Sequence, residues 1–307
     1  MQEIVDKYIF PYFKDMEIKD REIFNAFFLE FQPEASEYTF TNLFIWRKHY
    51  KFKWSIYKDW LLIISKKDND AWHAFQPIGP PSRKEVVLML LEWLKEEKKE
   101  NFPVIHRCER KIVEELLSVK EIVIEPARQH FDYVYLKEDL IRLEGNKYRS
   151  KRNHINKLLR FYDVKYEELI PVYIEDSLKV QEKWCQQKRC EEDMSLNDEW
   201  NAVEEALLNF NSLELKGGVI LIENKVVAFT VAEMLNKQTA VIHIEKADPD
   251  IPGLYPLINQ KFCEFGLKDA LFINREQDLG IPGLREAKLS YYPHHFVEKF
   301  SVRLYNA

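Results

Sequence analysis

The fold is decided by the stretch from residue 239 to residue 292, which reads TAVIHIEKADPDIPGLYPLINQKFCEFGLKDALFINREQDLGIPGLREAKLSYY. Its apolar runs predict two short strands, at residues 239–245 and 270–273, and the segment between them, residues 254–265, is predicted to be a helix. Each strand is followed at once by polar side chains. Strand ends of this kind form the ligand crevices of open α/β sheets, so we expect the functional site here.

The composition limits the class of protein. A chain of 307 residues is long enough for two domains of about 150 residues each, and a net charge of -6 argues against a DNA-binding protein, which is usually basic. The longest apolar run, residues 86–91, is far shorter than the ~20 residues of a membrane span, and the acidic N-terminus is unlike a secretory signal. We therefore expect no DNA partner, no transmembrane segment and a cytoplasmic location.

Several catalytic classes lose support because their motifs are absent from the sequence. There is no GxxxxGK[ST], GxGxxG, HExxH or GxSxG pattern, which argues against P-loop, nicotinamide, zinc-peptidase and α/β-hydrolase chemistry. The four cysteines include no CxxC pair, so we expect reduced, mostly buried thiols and no metal site.

The two halves of the chain show a similar order of predicted elements. Each has helices, then an antiparallel meander, then a strand–helix–strand unit, which we interpret as a duplication with domains at residues 1–138 and 139–307. Of the eight glycines, only Gly79 precedes residue 145. Because glycine permits tight turns and close backbone approach to a ligand, the active cleft is expected in the C-terminal domain.

A basic helix is predicted at the start of that domain, over residues 147–160 (KYRSKRNHINKLLR). Its apolar residues recur with helical spacing, and no acidic residue balances its charge. We predict a phosphate-binding surface on which Lys147, Lys151, Arg152 and Asn153 contact the donor substrate. The alternative is a solvated charged face.

Candidate catalytic residues lie at the end of the first strand. His243 and Glu245 are two positions apart and therefore share a face of the strand. A carboxylate beside an imidazole can take a proton from an amine or alcohol, so we expect Glu245 or Asp248 to orient or deprotonate the nucleophile and His243 to contact the substrate. The alternative for His243 is a structural role in the core.

Further candidates follow the second strand. The polar run supplies the predicted substrate-binding residues Asn274, Glu276 and Asp278. Lys288 and Tyr291, three positions apart, are expected to face one cleft, with Tyr291 as a proton donor to the leaving group. The alternative for this region is packing and surface charge.

These residues stand in an order that resembles a known family. The segment DYVYLKEDLIRLEGNKYRSKRNHINK (132–157), a meander, and then IEKAD, GLYPLINQKFCEFG and INREQDLGIPGLREAKLSYYP resemble the GNAT acyltransferase fold. More narrowly, they resemble the C-terminal domain of bacterial phosphatidylglycerol lysyltransferases and the Fem-type aminoacyl transferases. The resemblance implies an α/β (α+β) protein of two tandem GNAT-like domains, with mixed, mostly antiparallel sheets flanked by helices. It also implies a lysine-containing strand after the glycine-marked turn at 280–283.

The resemblance also implies an activity, acyl or aminoacyl transfer to an amine or hydroxyl acceptor. In the segment that corresponds to the coenzyme A loop, KADPDIPGLY (246–255), only Gly253 matches the glycine pattern that cradles a pyrophosphate. This departure favours aminoacyl-tRNA over acyl-CoA as the co-substrate, and no tightly bound cofactor is expected. Gly253, Tyr255 and Asn259 are the predicted donor-binding residues here. The alternative is a non-catalytic binding module that keeps the fold.

Overall fold

Helices and strands alternate along the chain, and the computed structural model describes residues 9–67, 71–188 and 194–305. The elements up to residue 126 are β1 (Lys14–Asp15), α1 (Arg21–Phe31), α2 (Phe40–Tyr50), β2 (Lys53–Tyr57), β3 (Trp60–Lys67), β4 (Ala71–Phe75), α3 (Lys84–Glu96), β5 (Val104–Glu109), α4 (Arg110–Leu116) and β6 (Ile122–Pro126). Those that follow are β7 (Asp132–Leu136), α5 (Lys137–Arg142), α6 (Arg149–Phe161), β8 (Val164–Glu168), α7 (Ile174–Lys188), α8 (Met194–Leu208), β9 (Lys216–Ile222), β10 (Lys225–Met234), β11 (Thr239–Ala247), α9 (Leu254–Phe265), β12 (Phe272–Asn274), α10 (Pro282–Leu289), β13 (His295–Val297) and β14 (Lys299–Leu304).

Two seven-stranded sheets hold these strands. The first has the order β1-β2-β3-β4-β5-β14-β6, and the second has the order β13-β7-β12-β11-β10-β9-β8. In each sheet an antiparallel meander (β2–β3–β4 or β9–β10–β11) is followed by one parallel pair (β4–β5 or β11–β12). The predicted α/β class with mixed, mostly antiparallel sheets flanked by helices is confirmed.

Each sheet takes one strand from the other half of the chain. The last strand, β14, lies antiparallel between β5 and β6 in the first sheet. Conversely β7, which follows β6 in sequence, pairs with β12 in the second sheet. The chain accordingly divides into two compact units, Met1–Asp132 with Gln277–Pro282 and Phe296–Ala307, and Tyr133–Glu276 with Gly283–His295. The simple division into 1–138 and 139–307 remains a prediction.

The first unit has an apolar core. Its helix α3 places Val86, Val87, Leu90, Leu91 and Leu94 on one buried face, as the helical spacing of these residues predicts. They pack against apolar side chains of β3, β5 and β14.

A buried ionic network lies in the same unit. Lys299 has no exposed side-chain area, and its Nζ donates to the carboxylates of Glu37 and Asp132, the latter at 2.6 Å. Glu37 also pairs with Arg107 at 2.7 Å. A buried ammonium is tolerated only when carboxylates compensate its lost hydration, so this network ties β14 to the loop before α2.

Two expectations about single residues need correction. Lys288 does not lie on a strand but on helix α10, because Pro282 suits the first turn of a helix and the residues after Gly283 are good helix formers. Cys108 and Cys263 are buried free thiols as expected, but Cys185 is disulfide-bonded, and Cys190 lies outside the described residues.

Candidate active site

The site in the second unit begins where two parallel strands separate. β11 and β12 pair only from Thr239 with Phe272 to Val241 with Asn274. Beyond that point β12 ends, while β11 continues to Ala247. The side chains that follow on both segments fill the opening between them, which is the strand-end crevice that the sequence predicts.

A buried ion pair occupies this opening. Arg275 Nη2 lies 2.8 Å from Glu245 Oε1, and Asn259 Nδ2 donates to Glu245 Oε2 at 2.9 Å. The side chains of Glu245 and Arg275 are 9% and 15% exposed. Both carboxylate oxygens of Glu245 therefore accept hydrogen bonds, and its main effect is to hold the guanidinium in place.

Tyr291 joins the basic helix to the strand ends. Lys151 Nζ, on α6, lies 3.7 Å from the centroid of the Tyr291 ring, and the guanidinium carbon of Arg275 lies 4.6 Å from the same centroid. Lys151 Nζ also donates to Ser290 Oγ at 2.7 Å. The structure thus brings together four elements that sequence reasoning assigned to one site: the ends of β11 and β12, helix α6 and the segment after α10.

The protonation states in this cluster follow from burial and charge. Burial raises the pKa of Tyr291 to about 12 even though Arg275 lies beside it, so the phenol stays protonated at neutral pH. Burial and the charge of Arg275 lower the pKa of Lys151 to about 8. Arg275 stays charged, because Glu245 more than offsets the cost of its burial and raises its pKa.

His243 forms a second cluster within the same unit. The register of β11 against β10 shifts here, since Val231 pairs with Ile244 and Ala232 pairs with Ile242, which leaves His243 as a bulge residue. Its ring nitrogens lie 2.9 Å from Glu233 and 3.0 Å from Glu276.

The two carboxylates make His243 a cation. Burial disfavours the charged imidazole, but hydrogen bonds to both carboxylates outweigh it and raise the pKa of His243 to about 9. His243 and Glu245 thus contact different partners. The predicted carboxylate–imidazole pair, which would have taken a proton from the nucleophile, does not form.

Other predicted residues are placed elsewhere. Asp248 pairs with Lys183 of α7 at 2.8 Å, apart from Glu245. Asp278 belongs to the first unit, where it accepts from the Gly280 amide and pairs with Arg128. Asn274 is buried at the end of β12 and accepts a hydrogen bond from the amide of Glu276.

Lys288 and the donor-binding candidates fall into different positions. Lys288 Nζ donates to the Arg275 carbonyl, which places it at the rim of the cluster. Arg152 donates to the carbonyls of Leu143 and Gly145 and so fixes the loop before α6. Lys147 is exposed over the Tyr292 ring.

Asn153 and Tyr255 complete the set of predicted donor contacts. Asn153 is exposed on α6. Tyr255 lies in the first turn of α9, where burial and the nearby Glu245 raise the pKa of its hydroxyl to about 12.

Sequence reasoning missed two residues that the structure places at the centre. Arg275 was one member of a polar run, and Ser290 was not singled out at all. The polar residues 274–278, at the end of β12 and after it, carry both charges, and their sequence does not indicate which side chain points into the protein. Ser290 could have been found from its place directly before Tyr291.

Comparison with known proteins now places the chain in a family. The family model described as "Phosphatidylglycerol lysyltransferase, C-terminal" matches residues 29–303. The chain belongs to this family. It is a family of acyl or aminoacyl transferases, as the resemblance of the sequence implied.

The chain is also similar to individual proteins. A crystal structure of a conserved protein of unknown function from Bacteroides thetaiotaomicron is 33% identical, covers 95% of this chain and 99% of its own, and has a TM-score of 0.88. The structure of L-PGS from Bacillus licheniformis has a TM-score of 0.66 at 13% identity, covering 94% of this chain and 93% of its own. An uncharacterized protein of Mycoplasmoides gallisepticum is 23% identical over 180 residues, and the match spans 56% of each of the two proteins.

Two more distant structures establish the fold type. A tandem GNAT protein from the clavulanic acid biosynthesis pathway has a TM-score of 0.51 at 7% identity, covering 95% of this chain and 98% of its own. FemX has a TM-score of 0.52 at 8% identity, covering 94% and 96%. The predicted tandem GNAT-like arrangement is therefore confirmed. In the described part of the chain, every helix is too short or too polar to cross a membrane.

Proposed function

We propose that this protein transfers an aminoacyl group from aminoacyl-tRNA to an amine or hydroxyl acceptor. The observation that carries the proposal is the meeting of Lys151 and Arg275 on the ring of Tyr291, with Glu245 behind Arg275. A fixed, desolvated guanidinium suits the negative charge that develops on the carbonyl oxygen during acyl transfer. Arg275 Nη1 is buried without a hydrogen-bond partner among the described residues, so the fold leaves part of the donor capacity of this guanidinium unused.

The other side chains have supporting roles in this proposal. Tyr291, protonated at neutral pH, donates a proton to the leaving oxygen. Glu245 and Asn259 hold Arg275 in position. The imidazolium of His243 orders Glu276, which contacts the substrate together with Lys288.

The packing of Gly253 favours an aminoacyl-tRNA donor over acyl-CoA. Gly253 has φ of +100°, and a Cβ at this position would lie 2.6 Å from the carbonyl oxygen of His154 on α6. This glycine is therefore needed for close contact between the start of α9 and helix α6. Residues 246–255 contain no second glycine, so this segment lacks the glycine pattern that presents backbone amides to the pyrophosphate of coenzyme A.

The exposed face of α6 offers another place for donor phosphates. Arg149, Lys157 and Arg160 are exposed on α6 and Lys147 is exposed just before it, and none of the four forms an ion pair with a carboxylate in the described part of the chain. Such a row of cations suits the backbone of an RNA acceptor end, which is a repeating polyanion. Lys151 and Arg152 lie on the inner side, where the contacts described above engage them.

The test compares two donors in parallel. Bulk tRNA charged with labelled amino acids and labelled acetyl-CoA are each incubated with the protein and a set of amine and hydroxyl acceptors. We expect labelled acceptor from aminoacyl-tRNA and at most a trace from acetyl-CoA. If neither donor labels any acceptor, the proposed activity is wrong.

A binding module without catalysis is the second candidate, favoured by the loss of the coenzyme A loop at Gly253. Replacing Glu245 separates the two. A binder keeps its affinity for tRNA in Glu245→Gln, whereas an enzyme loses turnover because Arg275 is no longer held.

A further inference from the structure

Lys151 and Ser290 form a pair that direct transfer does not require. Lys151 Nζ lies 2.7 Å from Ser290 Oγ, and Ser290 Oγ in turn donates to the Ala287 carbonyl at 2.6 Å. Both side chains are partly exposed, so a substrate can reach them. A hydroxyl within hydrogen-bond reach of an amine is the arrangement of the serine–lysine nucleophiles.

The surroundings of Lys151 favour its neutral form. In the part of the chain that the structure describes, no carboxylate pairs with its ammonium, and the cation Arg275 lies nearby against the ring of Tyr291. Burial and this neighbouring charge bring its pKa to about 8. About a tenth of Lys151 is therefore an uncharged amine at pH 7, and about half at pH 8, with a lone pair for the Ser290 proton.

We propose that Ser290 is a nucleophile that receives the acyl group from an activated ester before it passes to the acceptor, with Lys151 as its base. This inference rests on the proposed transfer function and deepens it, because it replaces direct attack by a covalent intermediate. It also gives Lys151 a task other than binding phosphate.

The steps balance without any further reactant. Ser290 Oγ attacks the carbonyl carbon of the donor ester while its proton passes to neutral Lys151. The bond to the leaving alcohol breaks, and in this route the Lys151 ammonium, in place of Tyr291, returns that proton to the departing oxygen, which leaves an ester on Ser290. The amine or hydroxyl of the acceptor then attacks this ester, its proton passes to Lys151, and Ser290 Oγ recovers a proton from the ammonium.

The fixed position of Ser290 suits this role. Its backbone amide bonds to the Glu286 carbonyl at the end of α10, and the adjacent Tyr291 is buried. Once Lys151 loses its proton, rotation of the Ser290 hydroxyl hydrogen from the Ala287 carbonyl toward Nζ activates the oxygen without backbone movement.

The test uses p-nitrophenyl acetate as an activated ester with the full-length protein. We expect a p-nitrophenol burst of about one equivalent and a +acetyl mass on the peptide that contains Ser290, lost on hydroxylamine treatment because an ester is labile. The burst rate is expected to rise with pH through about 8, as Lys151 deprotonates.

Variants assign the two roles. Ser290→Ala and Lys151→Met should each lower the burst rate at least about 100-fold, and Lys151→Arg, which stays charged, should lower it as much. Ser290→Cys should form a thioester instead, which covers the case in which Ser290→Ala does not fold. Ser212→Ala and Lys268→Met, at exposed positions outside the cluster, should leave the burst unchanged.

Several outcomes overturn the inference. One is an adduct on Lys151 itself, stable to hydroxylamine as an amide is. Another is a burst that Ser290→Ala retains. If Ser290→Ala still transfers aminoacyl groups at the wild-type rate, the covalent step is wrong while the proposed function stands; if the wild-type protein transfers none, the function itself is wrong.

Discussion

The positive charge of Arg275 is buried and is compensated by one carboxylate, that of Glu245. Glu245 holds it at 2.8 Å with little solvent nearby. Removing one member of such a pair leaves an uncompensated charge inside the protein, which typically costs about 3–5 kcal/mol. We expect Glu245→Ala to lower the free energy of unfolding by about this amount in urea denaturation.

The matched control for that substitution is Glu264→Ala. Glu264 pairs with Lys261 at the surface, at 38% exposure, so its loss should change the stability by no more than about 0.5 kcal/mol. In the double variant Glu245→Ala/Arg275→Met the loss should be smaller than in Glu245→Ala, since no buried charge remains. Equal stability of Glu245→Ala and wild type would contradict the importance of this pair.

His243 gives the fold a pH dependence with a definite sign. Its folded-state pKa of about 9 lies above the unfolded value of 6.5, so its contribution is complete below pH 6.5 and is lost as the pH rises through about 9. The difference corresponds to about 3 kcal/mol. We expect the difference in the free energy of unfolding between wild type and His243→Gln to decrease by about 3 kcal/mol between pH 6 and pH 10. Urea denaturation at each pH measures this difference.

A second variant checks the cause of this dependence. Glu233→Gln removes one of the two carboxylates, so the midpoint of the pH-dependent loss should move to lower pH. An unchanged midpoint would show that the carboxylates do not hold the imidazolium.

At the level of residues, the sequence indicated side chains that the structure brings together, but not which of them pair with each other. Glu245 was selected from the polar end of a predicted strand, Lys151 from the basic helix, and Tyr291 from the segment after the second strand. The partner of Glu245 was not predictable, because the bulge at His243 changes which side chains face each other and local sequence does not encode that shift. Ser290 and Arg275 gain importance only from contacts across the fold.

At the level of elements, Gly253 allows the start of α9 to pack closely against α6. Alanine at this position adds a Cβ 2.6 Å from the His154 carbonyl oxygen. It also places a residue with a side chain at a positive φ, which glycine adopts more easily. We expect Gly253→Ala to destabilise the protein by about 1–3 kcal/mol in urea denaturation. Gly283→Ala is the control, since nothing lies within 4 Å of its Cβ; it should be neutral or stabilising by up to about 1 kcal/mol.

Helix α6 predicts a measurable salt dependence of tRNA binding. If its exposed cations contact phosphates, log K for tRNA falls with log salt, and each contact adds about 0.7–0.9 to the slope. Lys157→Gln with Arg160→Gln should therefore reduce the slope by about 1.5, while Lys268→Gln leaves it unchanged. A slope that none of these variants alters would place the phosphates elsewhere.

Element types were largely predictable, because α3, α6 and α9 carry clear helical spacing and β11 a clear apolar run. The segment 282–289 was the exception, since a short polar stretch with one lysine suits a strand or a helix. The proline at its start and the good helix formers after Gly283 favoured the helix that the structure contains.

At the level of the whole molecule, the exchanged strands decide what can fold alone. A fragment of residues 1–138 lacks β14, which lies between β5 and β6 and carries the buried Lys299. We expect this fragment to give a poorly dispersed NMR spectrum and no cooperative unfolding.

Restoring the strand is the matched control. Residues 9–132 joined through a flexible glycine–serine linker to residues 296–305 should fold cooperatively. Cooperative unfolding of fragment 1–138 alone would contradict the importance of the exchange. The exchange was not predictable from sequence, because β14 pairs with strands almost two hundred residues earlier and periodicity reports only local structure.

The most direct measurement uses hydroxylamine as a general acceptor. Labelled aminoacyl-tRNA is incubated with the protein at single turnover, and enzyme-dependent aminoacyl hydroxamate is compared between wild type and Arg275→Gln at equal folded fraction. We expect a wild-type rate above background that falls about 100-fold or more in the variant, because the oxyanion loses its fixed donor. Hydroxamate formation at background rate in the wild type, or an equal rate in both proteins, would contradict an aminoacyl-transfer site at Tyr291.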